Sequence, residues 1–578
     1  MKFLNQQILY IQLLRKPCAL FISLVLLACF LAAGCDEGEN VFSGGGEGPD
    51  NDPPGAVSGP SVVFSQNAPL AAVLSLTSDE PTEVEVDVTG SAAEANSVSP
   101  RAEDFTVHSD GFDTVHAITL LGFHPDSPYN IHVTLRDESG NETELNDVGV
   151  VTDPLPVGFP PIHVETSMPE LMEPGVTLFP VRASGANLAF GSVFVALDES
   201  GQVVWYRRFA NIGYGDIRHI SNGNFLFIED DATITEMNVL GDIVRRWHTN
   251  RNTNPSAGSI LVDIPIFHHE VFEMENGNFL VLTVGLRSIE NYPTSDSDPE
   301  APLETAVVAG DEVVEFNPVD GTIINHWVLL DMLDPFRIGY DSLGGFWNNN
   351  FPEIEAGTRD WAHANAVIHD PSDDSIIVSM RHQDAVVKFS RQTGQLIWIL
   401  GTHANWDPVE FGSFLLDPIG DPFLFQYHQH APETTPAGTI LLYDNGNFKA
   451  SPFETKLTAP ENFSRAVEFS INKDTKQVTQ VWEFGEFDDP IRYAPFIGDA
   501  DMQPITGNVL ITHGGVTNDA EGLPSDNIGL SKTSVHIIEV THTTPGEKVF
   551  EISIVDPTPE IANGWTTYRS ERLPSLYP

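Results

Sequence analysis

One late-strand signature, a glycine turn followed four to six residues later by an aromatic, recurs through the second part of this chain. It reads Gly201-Gln-Val-Val-Trp205, Gly241 to Trp247, Gly321 to Trp327, Gly394-Gln-Leu-Ile-Trp398 and Gly546-Glu-Lys-Val-Phe550, with a glycine-free version from Lys476 to Trp482. A second motif, a tight polar turn before an apolar strand, falls between these at Gly223, Gly277, Asp374, Gly438 and Gly507. Two hairpins per unit, repeated six times over roughly 400 residues, is the arithmetic of a β-propeller whose blades carry long insertions. The pattern therefore predicts an all-β chain whose main domain, residues 165–578, is a six-bladed β-propeller. Almost no segment has helical periodicity, so an all-β solenoid is the structural competitor.

Before the repeats, residues 61–153 show short alternating segments such as Thr82-Glu-Val-Glu-Val-Asp-Val and Tyr129-Asn-Ile-His-Val-Thr-Leu, the pattern of a β-sandwich. The run from Leu121 to Val133 resembles the end of a fibronectin type III domain, where a tyrosine, here Tyr129, closes a corner. The stretch Pro154 to Pro161 marks the boundary with the propeller. At the other end, Lys2, Arg15 and Lys16 precede an apolar run that stops in Leu31-Ala-Ala-Gly-Cys35, so residues 1–35 read as a bacterial lipoprotein signal with Cys35 as the lipidated residue. Residues 36–60, acidic and rich in Gly and Pro, read as a flexible tether. The expected location is the bacterial cell envelope, lipid-anchored, on the periplasmic or outer-surface side.

Cys18 and Cys29 lie in that leader, which leaves no disulfide and no cysteine metal site for the mature chain. Three of the 28 Lys and Arg also lie there, so the remainder sets 82 carboxylates against 25 basic residues, a formal charge of −57. Nucleic acid is excluded as a partner, and an anionic substrate has to be held by locally concentrated His and Arg.

Such a concentration is predicted at one mouth of the propeller channel. His269 and His430 each lie eight residues before the turn glycine of their blade, Gly277 and Gly438, and so occupy equivalent positions at the head of an inner strand. His363 sits a little earlier in its own blade, and a hairpin centred near Ser372 sets it opposite Arg381. Three imidazoles and a guanidinium suit the grip of a tetrahedral oxyanion. Arg381 opposes a cation there and no His-Glu-x-x-His helix exists, so no metal and no organic cofactor are expected. Alternation along a strand directs His268, His382 and His428 to the opposite face, as packing or supporting groups.

These residues resemble those of the bacterial arylsulfotransferases that work without a nucleotide sulfate donor. The match covers His268-His269-Glu-Val, Trp361-Ala-His363-Ala-Asn365, Ser379-Met-Arg381-His382-Gln383, Trp398-Ile-Leu-Gly401, Gln429-His430, Tyr443-Asp-Asn-Gly446 and Tyr568-Arg569. The resemblance implies transfer of a sulfuryl group from a phenolic sulfate ester to a phenolic acceptor, ping-pong fashion, through a sulfohistidine. It assigns the nucleophile to His430, further essential channel groups to His269, His363 and Arg381, and a substrate-binding role to Asn365. Reflecting the hairpin about Pro436 and Ala437 sets Tyr443 or Asp444 across from His430, which makes Asp444 a candidate to fix its tautomer. The segments Ser288 to Thr305 and Leu330 to Thr358 read as ordered lids. Some family members carry a disulfide that this chain lacks, so its maturation differs. A non-catalytic envelope propeller that binds a protein or polysaccharide is the alternative from another class, and a quinone-dependent dehydrogenase is a second enzymatic one. Oligomeric state stays open.

Overall fold

The computed structural model describes residues 51–90, 104–213, 216–485, 490–558 and 564–577. The leader with Cys35 and most of the tether lie outside the described residues.

The first domain is organised by one long strand, Ala72–Gly90, whose buried positions alternate along almost its whole length. Its pairing breaks between Thr77 and Thr82, around Pro81. The first half pairs with Ala56–Phe64 and Asp113–Leu120, and the second with Phe105–His108 and Pro128–Asp137. A strand that changes partners half way builds two layers from one chain segment. Leu74, Leu76, Val86, Ile118, Leu120 and Val133 fill the space between them. The Tyr129 hydroxyl accepts the His124 amide at 2.7 Å and its ring meets Phe123 edge-on, so the tyrosine does close the corner. The first strand begins at Ala56, inside the segment read as tether, because pairing with Ala72–Gly90 satisfies its backbone.

Beyond Ile162 the described residues form five sheets. Four contain a meander of four consecutive antiparallel strands, headed by Arg218–His219, His268–Glu273, Ala364–Asp370 and His430–Thr434, and all but the third add one short parallel strand. The fifth, of ten strands, contains two such meanders, Val176–Ser184 to Val203–Phe209 and Asp499–Met502 to Lys548–Ile554. Gly564–Thr566 joins them by pairing with Val176–Ser184 and with Lys532–Val540. Glu571–Leu573 also pairs with Val176–Ser184, and Ile162–Ser167 covers the outer edge of Lys548–Ile554. Neighbouring sheets pack face to face in chain order, with Phe194 against Phe227, Trp247 against Phe279 and Tyr443 in one cluster with Ile511. The arrangement is propeller-like.

The repeated aromatics explain themselves in this setting. Trp205, Trp247 and Trp482 are buried on the outer strands, and each indole N–H donates to a carbonyl in a turn of the next sheet, Val239, Pro318 and Thr543, at 2.7, 2.8 and 3.0 Å. A buried indole needs an acceptor, and here the acceptor belongs to the neighbour, so one residue type both fills the gap and sets sheet-to-sheet register. The sandwich docks on turns of two neighbouring sheets, through His124 Nε2 to Asp198 (2.8 Å) on the ten-stranded sheet and Ser65 to the Leu240 carbonyl (2.7 Å) on the sheet headed by Arg218–His219. Among the described residues the α-helix is limited to the single turn Leu329–Met332, and no helix is long and apolar enough to cross a membrane.

Candidate active site

Three inner strands share one irregularity. Pairing with the second strand of the sheet slips next to His268, next to Ala364 and next to His430, so extra residues bulge out at the head of each. His269 (φ 57°), His363 (φ 48°) and Ala431 (φ 49°) take left-handed backbone conformations there. Such conformations cost of order 1–3 kcal/mol each and persist only where the surroundings impose them. The bulges cancel the period-two alternation of a strand, which lets neighbouring residues turn toward the same place.

That place is a cavity of about 810 Å³ lined by His269, His363, Arg381, His382, His430 and Tyr568, among others. The His269 and His363 rings lie 4.8 Å apart and His382 stacks on His363 at 4.7 Å. Arg381 and His363 do face each other, the Arg381 amide donating to the His363 carbonyl at 3.3 Å. The slip at Ala364 restores the pairing that the hairpin centre predicted, although the inner part of the hairpin runs one residue out of that register. The Arg381 guanidinium donates to the Pro495 carbonyl at 3.1 Å and lies 3.7 Å from Asp341. Both inserted segments reach the cavity, the first through Asp296 and the second through Asp341, Leu343 and Phe346.

Burial, then the Arg381 charge, pushes the His430 imidazole down to about 3, so it is neutral near pH 7. Burial also holds His363 and His269 well below the usual histidine range, with Arg381 adding to both. His430 Nδ1 lies 2.7 Å from Asn445 Oδ1. The Asn445 amide nitrogen donates to the carbonyls of Ala494 and Ile497, both at 2.8 Å, so its oxygen has to be the atom facing His430. An amide oxygen only accepts, hence the His430 proton is on Nδ1 and the lone pair on Nε2. His363 is held differently, with Nδ1 2.6 Å from the Asp360 carboxyl, whose other oxygen accepts the Trp347 indole at 2.9 Å. Burial raises Asp360 and lowers His363, which reduces the charge that each of the two carries.

Four predicted residues, His269, His363, Arg381 and His430, thus meet in one cavity, and two do not join them. Asp444 pairs with the buried Arg465 at 3.0 Å and accepts the Tyr427 amide, because the bulge at Ala431 sets Tyr443 opposite His430 and hands the next contact to Asn445. Asn365 is fully buried behind the cavity wall, its amide donating to the Gln429 carbonyl at 2.8 Å and its own carbonyl accepting Tyr568 and Arg569. The opposite-face reading of His382 also fails, whereas His268 stays off the cavity lining as a supporting group. His268 contacts His269 directly, and His382 enters the cavity on the short 3₁₀ turn Arg381–Gln383. His428 keeps a supporting place, bridging Asp384 at 2.8 Å and Asp341 at 3.5 Å, and these carboxylates raise it despite burial.

Among the described residues, Asp360, His363 and His382 bring ligand atoms within 4.8 Å of one another, close enough for a metal ion. The set suits one poorly, since the Asp360 to His363 contact is already a short hydrogen bond, His382 Nδ1 meets the Asp360 carbonyl, and Arg381 acts on both rings.

Further along the same inner strands lies a second cavity, of about 270 Å³, lined by Glu270, Glu433, Asp499, Asp501 and Glu571 with Arg218 and Arg569. Arg218 meets Glu571 at 2.9 Å and Glu270 at 3.2 Å, and Arg569 pairs with Glu270. Burial pushes Asp501 up to about 7 and the adjacent Asp216 up to about 6.

A model of the family described as arylsulfotransferase (ASST) matches residues 163–568, and one described as the arylsulfotransferase Ig-like domain matches residues 60–152. An arylsulfate sulfotransferase AssT of Escherichia coli is 30% identical over 255 residues, 38% of this chain and 40% of that protein. A protein of the same name from Lelliottia amnigena is 28% identical over 328 residues, 50% of this chain and 51% of that protein. The chain thus spans about half or less of the length of these curated relatives. Among solved structures, a β-propeller domain of Myceliophteria thermophila aligns with a TM-score of 0.28 at 10% identity, over 64% of this chain and 81% of that one.

Proposed function

Because this chain belongs to the arylsulfotransferase family, we propose that its channel cavity transfers a sulfuryl group from an aryl sulfate donor to a phenolic acceptor by a ping-pong route. The observation that carries this reading is the hydrogen bond from His430 to Asn445, since it leaves a neutral imidazole with its lone pair at Nε2. In the first half-reaction Nε2 attacks sulfur, the N–S bond forms as the S–O bond to the aryl group breaks, and the Nδ1 proton stays on Asn445's side. The sulfohistidine so formed divides one difficult transfer into two. Arg381 neutralises the sulfuryl oxygens with its planar fork.

Phenolate is a tolerable leaving group, with a conjugate acid of pKa about 10, and a proton delivered in the transition state adds about 10²–10⁴-fold. The Asp360 and His363 pair and His269 are the donors within the cavity. In the second half-reaction an acceptor phenol gives up its proton to the same base and attacks sulfur, and His430 departs neutral.

The ten-stranded sheet supports reading the ring as six blades, two of them joined through Gly564–Thr566. The small residues before Cys35 support lipid anchoring in the bacterial envelope.

The test mixes the purified full chain with 4-nitrophenyl sulfate, with and without phenol, and follows nitrophenolate release and the mass of the peptide containing His430. Acceleration by phenol, with a sulfuryl group on that peptide, is the expected result. No release across a panel of aryl sulfates, with His430 unmodified, returns the cavity to the non-catalytic binding alternative.

A further inference from the structure

Behind His269 stands a line of buried groups that the transfer chemistry leaves unused. His268 Nδ1 lies 2.9 Å from His269 Nδ1, the two rings nearly perpendicular at 87°. Two ring nitrogens at that separation share one hydrogen, so one ring donates and the other accepts. The second nitrogen of His268, Nε2, faces Asp311 Oδ1 at 3.5 Å. His268 and Asp311 are both fully buried, and the backbone of Thr283 at the His268 ring and of Ala364 at the Asp311 carboxyl approach without completing a hydrogen bond of ordinary geometry. A carboxylate so placed is expensive to ionise, whereas a carboxylic acid can donate to the imidazole beside it.

We propose that Asp311 and His268 form a buried proton relay that ends on His269 and supplies the proton exchanged with the phenolic oxygen. The proposal rests on the sulfotransfer reading above. In the resting state Asp311 carries a proton and donates to His268 Nε2, His268 Nδ1–H donates to His269 Nδ1, and His269 bears its hydrogen on Nε2, the nitrogen turned from the relay. When the S–O bond breaks, the His269 Nε2–H bond breaks and an O–H bond forms on the departing phenolate. His269 Nδ1 takes the proton of His268 Nδ1, and His268 Nε2 takes that of Asp311. Both rings end neutral and a single negative charge stays on Asp311. The acceptor phenol runs the sequence backward, its proton returning through both rings to Asp311, so the store is full again after each cycle.

The surroundings suit a carboxyl group that holds its proton at rest. Burial first, and then Asp360, raise Asp311 well above the usual carboxylate range, with Glu312 of its own strand acting in the same sense. The groups that face His268 are the Thr283 backbone, His363 and Asp360, those that face His269 are His268, His363, His430 and Arg381, and the Ala364 backbone faces Asp311 and works against its keeping the proton, more weakly than burial. Arg381 opposes a cationic His269, which favours a relay in which no ring is left charged.

Side-chain ¹⁵N NMR of the histidine-labelled full chain, with His268 and His269 assigned by substitution, reads the tautomers directly. The expected result is Nδ1–H on His268 and Nε2–H on His269, with the His269 signal moving in Asp311→Leu. The opposite tautomers in the unsubstituted protein overturn the relay, even if no Asp311 variant folds. In Asp311→Asn the amide can still donate to His268 but cannot hand over a proton. Turnover of phenyl sulfate should then fall about 100-fold, and that of 4-nitrophenyl sulfate, a better leaving group, only about threefold. An equal fall for both donors overturns the relay and leaves Asp311 a packing residue. Absence of turnover in the unsubstituted protein counts against the sulfotransfer reading alone, because the NMR result decides the tautomers without it.

Discussion

The two cavities of the channel are lined by the same inner strands and are similarly buried, yet they respond to burial in opposite ways. At the mouth the titratable groups are imidazoles, which avoid charge by releasing protons. His430 and His382 are pushed down to about 3. In and beside the second cavity they are carboxyls, which burial shifts toward keeping protons, Asp501 up to about 7 and Asp216 up to about 6. Burial therefore reduces the charge of both sets, and the guanidinium groups remain as fixed charges. Arg381 at the mouth is held by a backbone carbonyl and one carboxylate at 3.7 Å, whereas Arg218 and Arg569 are enclosed by carboxylates. A chain with a formal charge of −54 in this way keeps one cavity suited to an anion.

The sharpest way to separate the two is to remove the proposed nucleophile. His430→Ala should lower sulfuryl transfer by at least about 10³-fold in nitrophenolate release, with little change in the denaturation midpoint. In the second cavity the order reverses. Arg569→Met leaves Glu270 buried without one of its two guanidinium partners and should lower the unfolding free energy by about 3–5 kcal/mol in urea titrations. Next comes Asn445→Leu, which frees the His430 tautomer. A fall in kcat of about 10–100-fold with nearly constant KM is expected, and an unchanged kcat contradicts the tautomer argument.

The smallest effects concern pH. A carboxyl whose folded pKa is raised to about 7 stabilises the fold most on the acid side, and that stability is lost as pH rises from about 4 to about 7. An imidazole whose folded pKa is lowered to about 3 does the reverse, since the unfolded chain gains its proton first as pH falls below about 6.5. Across the same window, Asp501→Asn should thus lessen the loss of melting temperature on the alkaline side, and His382→Asn the loss on the acid side. Equal pH profiles for both variants would mean that the cavities do not differ in this respect.

How much of this was legible depended on whether a residue's place followed from strand spacing. His269 and His430 keep a fixed offset from a turn glycine, so their equivalence was readable, and the repeated Trp residues gave the outer strands. The Gly-Pro-rich segment gave no hint that a strand starts at Ala56. Asn445 could not be found from the hairpin centre, because the bulge at Ala431 moves the pairing of His430 to Tyr443 and a side chain from beyond the strand reaches back. His382 was misplaced for a related reason, the turn after Met380 replacing the alternation that a strand would have kept. Bulges and left-handed residues carry little sequence signal when the residues are His and Ala rather than Gly. The family motifs pointed to four residues that the structure brings into one cavity, because motifs record residues, not geometry.

The strands that join the two meanders of the ten-stranded sheet also bear on when the cavity is complete. Tyr568 lines the mouth from the short link between Gly564–Thr566 and Glu571–Leu573, and both of those strands pair with Val176–Ser184 from the other end of the domain. During synthesis the histidine-bearing strands leave the ribosome well before this segment does. The wall that completes the cavity is thus the last part to arrive, and a nascent chain halted short of Tyr568 holds every histidine and Arg381 without an enclosed place for them to work.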